Sequence, residues 1–130
     1  MDELERLEDT IFQQRLELEW LEDDFNREKR QYEDDCNQLD GRQRDLSFLV
    51  DEFSELVFYQ QRQNPSSEVR AFTNLLTDYN QVTEISFKEE LDRLDAAFEE
   101  KEANFRKKYR QLDQAIEDND QLKRQLYNKK

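Results

Sequence analysis

The chain has 130 residues, of which 41% are charged and only 35% hydrophobic, and its formal net charge is −13. This balance is typical of coiled coils and of disordered chains, but nine Phe, five Tyr and one Trp, mostly at helical spacings, favour a coiled coil. The acidity argues against a nucleic-acid or anionic-membrane partner. With no His and one Cys, a Ser-His-Asp triad and a Cys/His zinc site are excluded, so we expect no enzyme, metal, cofactor or small-molecule substrate.

The first predicted element is a helix over about residues 2–61. Apolar residues recur along it at every seventh position, a spacing that keeps one edge of a helix apolar and requires another helix to cover that edge. We call these the seam positions of the first helix: Leu4, Ile11, Leu18, Phe25, Tyr32, Leu39, Leu46 and Phe53. Gly41 lies within this helix without changing the heptad phase, so we expect it to be tolerated there.

A turn is predicted at about residues 62–66, around the chain's single proline, Pro65. Asn64 or Ser66 is suited to cap the next helix, and Pro65 to lie in its first turn, where its missing N–H is no loss. The apolar density rises on both sides of this turn, which makes the tip the most globular part of the chain. The tip is either a small local core or, in part, a surface that docks helices of another protein.

The second predicted helix covers about residues 67–127. Its seam positions include Leu91, Phe98, Phe105 and Leu112. The apolar stripe changes phase near residues 83–87, where Ser86 and Glu89 fit a capping box. A continuous helix is the first choice, and a break near residues 83–87 that divides it into two is the alternative.

These elements predict an all-α fold, a single domain over residues 1–130 that forms a long antiparallel helical hairpin of coiled-coil type. Folding the chain at residue 64 places Phe25 opposite Phe105 and Leu39 opposite Leu91. The companion heptad position of the first helix is often polar, as at Gln14, so the seam is only half apolar. We therefore expect the hairpin to be marginal alone and completed by other helices.

Several apolar residues lie off the seam and are candidates for binding a partner: Phe12, Leu16, Trp20, Phe48, Val57 and Phe58. The first three are spaced by four and stack along one side of the helix. Two interpretations of Trp20 remain open. It is either a singly exposed aromatic, which is common, or part of a surface that docks helices of another protein.

The acidic, Leu-rich opening from Met1 to Glu8, the aromatic segment from Asp51 to Tyr59 and the long charged C-terminal helix resemble a known group. It comprises the small α-helical accessory proteins encoded beside LXG toxins of Gram-positive type VII secretion systems. The resemblance implies a targeting factor, or chaperone, that binds the helical LXG domain of its toxin together with a second small helical accessory protein, stabilises it and assists its export.

Two other functions are left open by the residues: a coiled-coil adaptor in another complex and a self-assembling structural coiled coil. No signal peptide and no apolar run long enough to cross a membrane is visible. We expect a cytoplasmic protein without membrane insertion, and the resemblance adds co-export with the toxin as a further expectation.

Overall fold

The computed structural model describes residues 2–129, and the helices in this range are α1, Glu3–Gln63, and α2, Ser67–Asn128. They pack as a hairpin without strands among the described residues, which confirms the predicted all-α fold. The chain divides into two compact units. Residues 1–31 with residues 97–130 form the terminal unit, and residues 32–96 form the turn unit.

Both helices begin at a side-chain cap. Asp2 Oδ1 accepts a hydrogen bond from the Glu5 N–H at 2.7 Å, and Ser66 Oγ accepts one from the Val69 N–H at 3.1 Å. Each cap satisfies an N–H group that has no partner within its helix. Ser66 is therefore the cap of α2, as predicted, but Pro65 precedes the cap and lies outside the first turn in which it was expected.

The second helix is continuous, so the alternative break near residues 83–87 does not occur. Ser86 and Glu89 lie within α2 and do not begin a new helix. The physical reason is the absence of Gly and Pro between residues 67 and 128, since these are the residues that commonly end a helix.

The terminal unit has a narrow apolar core. Ile11 and Ile116 are its buried hydrophobic residues. The ring of Phe25 stacks on that of Phe105 with centroids 4.2 Å apart and on that of Phe98 at 5.8 Å. The pairing of Phe25 with Phe105 confirms the predicted fold about residue 64.

Polar residues also meet across the seam of the terminal unit. Asn119 Nδ2 donates a hydrogen bond to Gln14 Oε1 at 2.9 Å, and both side chains are partly buried. Arg15 pairs with Asp120 at 3.3 Å, but the arginine is largely in solvent. Exposed ion pairs contribute little to stability, so the amide pair is the polar contact that matters here.

In the turn unit the buried hydrophobic core consists of Leu39 alone among the described residues. Tyr32 precedes Leu39 by seven residues, and its hydroxyl donates a hydrogen bond to Asp95 Oδ1. That hydrogen bond, followed by one with Cys36, raises the pKa of the Tyr32 phenol above its ordinary value of 10. Tyr32 thus links α1 to α2 through its hydroxyl.

The seam positions differ in how well the hairpin covers them. Phe53 remains 52% exposed and Leu91 40% exposed, although a seam position predicts burial. A seven-residue spacing drifts by about 20° per heptad on a straight α-helix, so a stripe eight positions long rotates away from its neighbour. The remaining predicted seam residues are buried or half-buried: Leu4, Ile11, Leu18, Phe25, Tyr32, Leu39, Leu46, Phe98, Phe105 and Leu112.

Candidate functional site

Phe12, Leu16 and Trp20 form an apolar surface on α1 in the terminal unit, which we call the Phe12–Trp20 surface. Phe12 is 64% exposed and Trp20 53% exposed, whereas Leu16 is half-buried between them. Each follows the last by four residues, so they lie one above the other on successive turns. The structure therefore leaves this surface open to solvent.

The charges beside the Phe12–Trp20 surface are mainly acidic. Asp9 and Glu17 lie three residues before Phe12 and Trp20 respectively, and both are exposed. The arginine within this stretch, Arg15, is engaged with Asp120 of α2. A partner that covers this surface would therefore meet an apolar stripe edged by carboxylates.

In the turn unit, Val57 and Phe58 line one groove between the two helices. The opposite wall comes from α2 and includes Leu76 and Thr77. The Phe58 ring also lies under the guanidinium of Arg62, 5.2 Å from ring centroid to Cζ, at a distance suited to a cation–π contact. The structure thus brings two of the predicted partner-binding residues into one groove.

Phe48, another predicted partner-binding residue, lies apart from that groove. It precedes Val57 by nine residues, which on an α-helix is about half a revolution. Its side chain is largely exposed. Phe48 and Val57 therefore cannot belong to a single contact surface on α1.

The expectation of a small local core at the tip is wrong. Most of the apolar residues on both sides of the turn remain exposed, because two helices alone cannot cover apolar residues that are spread around each of them. Leu49, Leu56, Phe72, Leu75 and Tyr79 are examples.

No group of three or more His, Cys, Asp or Glu residues in the described range is arranged to hold a metal ion. Cys36 is half-buried beside Tyr32, and its thiol is free. Within residues 2–129, neither helix carries an apolar stretch of the length and hydropathy that crossing a bilayer requires. The distinctive features of this part of the chain are its exposed apolar surfaces.

Comparison with known proteins gave no match to a family model, to a curated protein or to a solved structure. The function is therefore argued from the surfaces described above. Two of them are separate in the sequence and lie in different units: the Phe12–Trp20 surface and the apolar residues around the turn.

Proposed function

We propose that this chain is an accessory protein that binds an α-helical partner, and that the partner is the helical LXG domain of a type VII-secreted toxin. The Phe12–Trp20 surface is the observation that supports binding, because two large aromatics stand exposed about two turns apart on one side of one helix. Buried aromatics commonly anchor protein interfaces. The toxin as partner rests on the sequence resemblance.

The area that these aromatics offer is large enough to contribute to a complex. An aromatic side chain buries about 150–250 Å², so more than half of that remains to be covered at Phe12 and at Trp20. At about 25 cal/mol per Å² this amounts to roughly 5 kcal/mol for the pair. A micromolar complex requires about 8 kcal/mol after the costs of association, so the surface can supply a major share.

A helical partner suits the linear arrangement of this surface. Residues four apart form a straight ridge along α1, and a ridge of this kind packs into the groove of another helix. In the proposed complex the LXG domain supplies that helix. A second small helical accessory protein binds the same LXG domain. Binding would cover the apolar surface of the LXG domain and so keep that domain soluble and folded before export.

The proposal is tested by co-expressing the chain with the LXG domain of a toxin encoded beside it and measuring co-purification and affinity. Replacing Phe12 and Trp20 by Ala should weaken binding at least tenfold while the helicity of the isolated chain stays unchanged. Tyr127→Ala is the matched control, because Tyr127 is 57% exposed in the same unit. It should alter affinity by less than twofold.

Two results would reject the proposal. One is a failure of the chain to bind any LXG domain that is encoded near it. The other is binding that survives the loss of both Phe12 and Trp20. Helicity that rises with concentration in the absence of a partner would instead indicate a self-assembling structural coiled coil.

A further inference from the structure

We propose that the turn unit carries a second docking surface, which binds an amphipathic helix whose apolar stripe is flanked by Lys or Arg. We call this surface the tip face and define it by Leu49, Phe53 and Leu56 of α1 with Phe72, Leu75 and Tyr79 of α2. These side chains are between 44% and 66% exposed. The tip face belongs to a different unit from the Phe12–Trp20 surface. The inference about the tip face does not depend on whether a secreted toxin binds the Phe12–Trp20 surface.

The groove around Phe58 shows which residues share a side of the turn unit. Phe58 of α1 and Thr77 of α2 both line that groove, so both lie on its side. Successive residues of an α-helix are rotated by about 100°, so a residue two positions earlier projects about 160° away. Leu56 precedes Phe58 by two, and Leu75 precedes Thr77 by two. Leu56 and Leu75 therefore share the opposite side of the hairpin.

The other members of the tip face follow from helical spacing. On α1, Leu49 and Phe53 precede Leu56 by seven and three residues, which keeps them on the same side. On α2, Phe72 and Tyr79 lie three residues before and four residues after Leu75, and all three contribute to one continuous apolar surface. The tip face thus extends across both helices.

The area of the tip face fits one helix. Each of these side chains leaves on the order of 100 Å² exposed, given the size of Leu and aromatic side chains, so the face offers about 600 Å². That is at the upper end of the largest apolar patch of a typical monomer and close to the roughly 800 Å² that each partner contributes to a standard interface. A single helix laid along the two-helix surface would cover it.

The charges around the tip face identify the chemistry of the occupant. Among the residues three or four positions from its members, the charged ones are Asp45, Glu52, Glu68 and Asp78, all exposed, and none is Lys or Arg. Interfaces are arranged so that opposite charges face each other. An apolar helix flanked by basic residues complements this acidic rim.

A second copy of this chain complements the tip face poorly. In a symmetric pair the same patch contacts itself, so carboxylates such as Glu52 and Asp78 would face carboxylates. Like charges placed together disfavour a complex. The basic helix is therefore the occupant to which we commit.

The probe for the test is a synthetic amphipathic peptide of about 20 residues with Leu along one face and Lys flanking it, compared with its twin that carries Glu in place of Lys. Binding to the full chain is measured by fluorescence anisotropy at about 0.15 M salt, where exposed charges beyond about 8 Å are screened. We expect the Lys peptide to bind at least tenfold more tightly than the Glu peptide.

Two pairs of variants separate the tip face from its surroundings. The double variant Leu56→Asn with Leu75→Asn should bind the Lys peptide at least tenfold more weakly. Phe58→Asn should change the affinity for the Lys peptide by less than twofold. Phe58 is a matched control because it is 64% exposed, against 66% for Leu56, but lies on the other side. Circular dichroism confirms that each variant stays helical.

Charge reversal provides the second pair. Glu52→Lys with Asp78→Lys should lower the preference for the Lys peptide at least tenfold. Glu33→Lys with Asp92→Lys makes the same change in net charge at exposed positions of the turn unit away from the face, and should leave the preference within twofold.

Three outcomes would overturn the inference. The first is equal loss of binding in the Phe58 variant and the Leu56 and Leu75 variant. The second is an equal effect of the two charge reversals, which would show that net charge alone attracts the peptide. The third is a dimer in analytical ultracentrifugation that the Leu56 and Leu75 changes convert to a monomer, because a second copy would then be the occupant.

Discussion

Replacing Phe105 by Ala tests whether the stacked aromatics hold the terminal unit together. Phe105 is half-buried, and its ring lies 4.2 Å from that of Phe25 at an angle of 5°. Truncating a fully buried Phe costs about 3–5 kcal/mol, and partial burial reduces this to roughly half. The stacked pair adds about 0.5–1.5 kcal/mol, so we expect the free energy of unfolding to fall by about 2–4 kcal/mol.

The assay is urea unfolding followed by circular dichroism at 222 nm. With a slope of about 2 kcal/mol per molar urea, the expected loss lowers the midpoint by about 1–2 M. Phe12→Ala is the matched control, because Phe12 is the same residue type in the same unit but 64% exposed. Exposed substitutions usually change stability by less than about 0.5 kcal/mol. The double change of Phe25 and Phe105 should show coupling of about 0.5–1.5 kcal/mol.

The reasoning fails if Phe12→Ala destabilises the chain as much as Phe105→Ala. Phe12 would then be packed in the folded protein, and the Phe12–Trp20 surface would not be available to a partner. It also fails if Phe105→Ala leaves the midpoint unchanged, because the aromatic stack would then contribute nothing to the hairpin.

Three further predictions concern local features. Gly41→Ala should raise the free energy of unfolding by up to about 1 kcal/mol in the same urea assay, since nothing lies within 4 Å of the added Cβ inside α1; a lower stability would contradict this. Ser66→Ala removes the cap of α2 and should cost about 1 kcal/mol, whereas Ser67→Ala should cost much less. Because the pKa of the Tyr32 phenol is raised above 10 by its hydrogen bond to Asp95, the stability it contributes is complete below pH 10 and falls as the pH rises above it. Ultraviolet titration should show that Tyr32→Phe removes a phenol whose pKa lies above 10, and that Asp95→Ala lowers the pKa of Tyr32. A Tyr32 phenol that titrates at the ordinary pKa of 10 in the unaltered protein would exclude the hydrogen bond to Asp95.

The two helices and their turn could be predicted from the sequence for a simple reason. Only Pro65 and Gly41 could interrupt helix, and Gly41 kept the heptad phase. The pairing of Phe25 with Phe105 followed from the position of the turn. What heptad counting could not supply is the rotation of the stripe relative to its neighbour, which depends on how closely the helices supercoil.

The effect of that rotation is visible near the turn. Phe53 continues the heptad series but is exposed, while Val50 and Val57 are half-buried. The interface has therefore moved by a fraction of a turn, to residues outside the counted series. Ile116 is also buried although it is not among the predicted seam positions, because it follows Leu112 by four residues and occupies the companion heptad position of α2.

The candidate surfaces were predictable to different degrees. Phe12 and Trp20 lie far from the seam on a helix with a single neighbour, so their exposure follows from spacing. The exposure of the tip face does not follow from spacing, because a high local density of apolar residues is equally compatible with a packed core. Deciding between the two requires knowing that Leu56 and Leu75 lie on one side of the hairpin while Val57 and Leu76 occupy its seam.

The polar pair inside the seam explains how so narrow an interface selects one alignment. Apolar side chains tolerate a shift of one helix along the other, but Gln14 and Asn119 satisfy each other only in the observed alignment. A buried polar position is known to specify register in coiled coils at some cost in stability. Sliding the helices by one turn would separate the two partly buried amides, and the loss of their hydrogen bond costs about 0.5–1.5 kcal/mol. The same contact that weakens the seam therefore fixes which residues of α1 and α2 face each other across it.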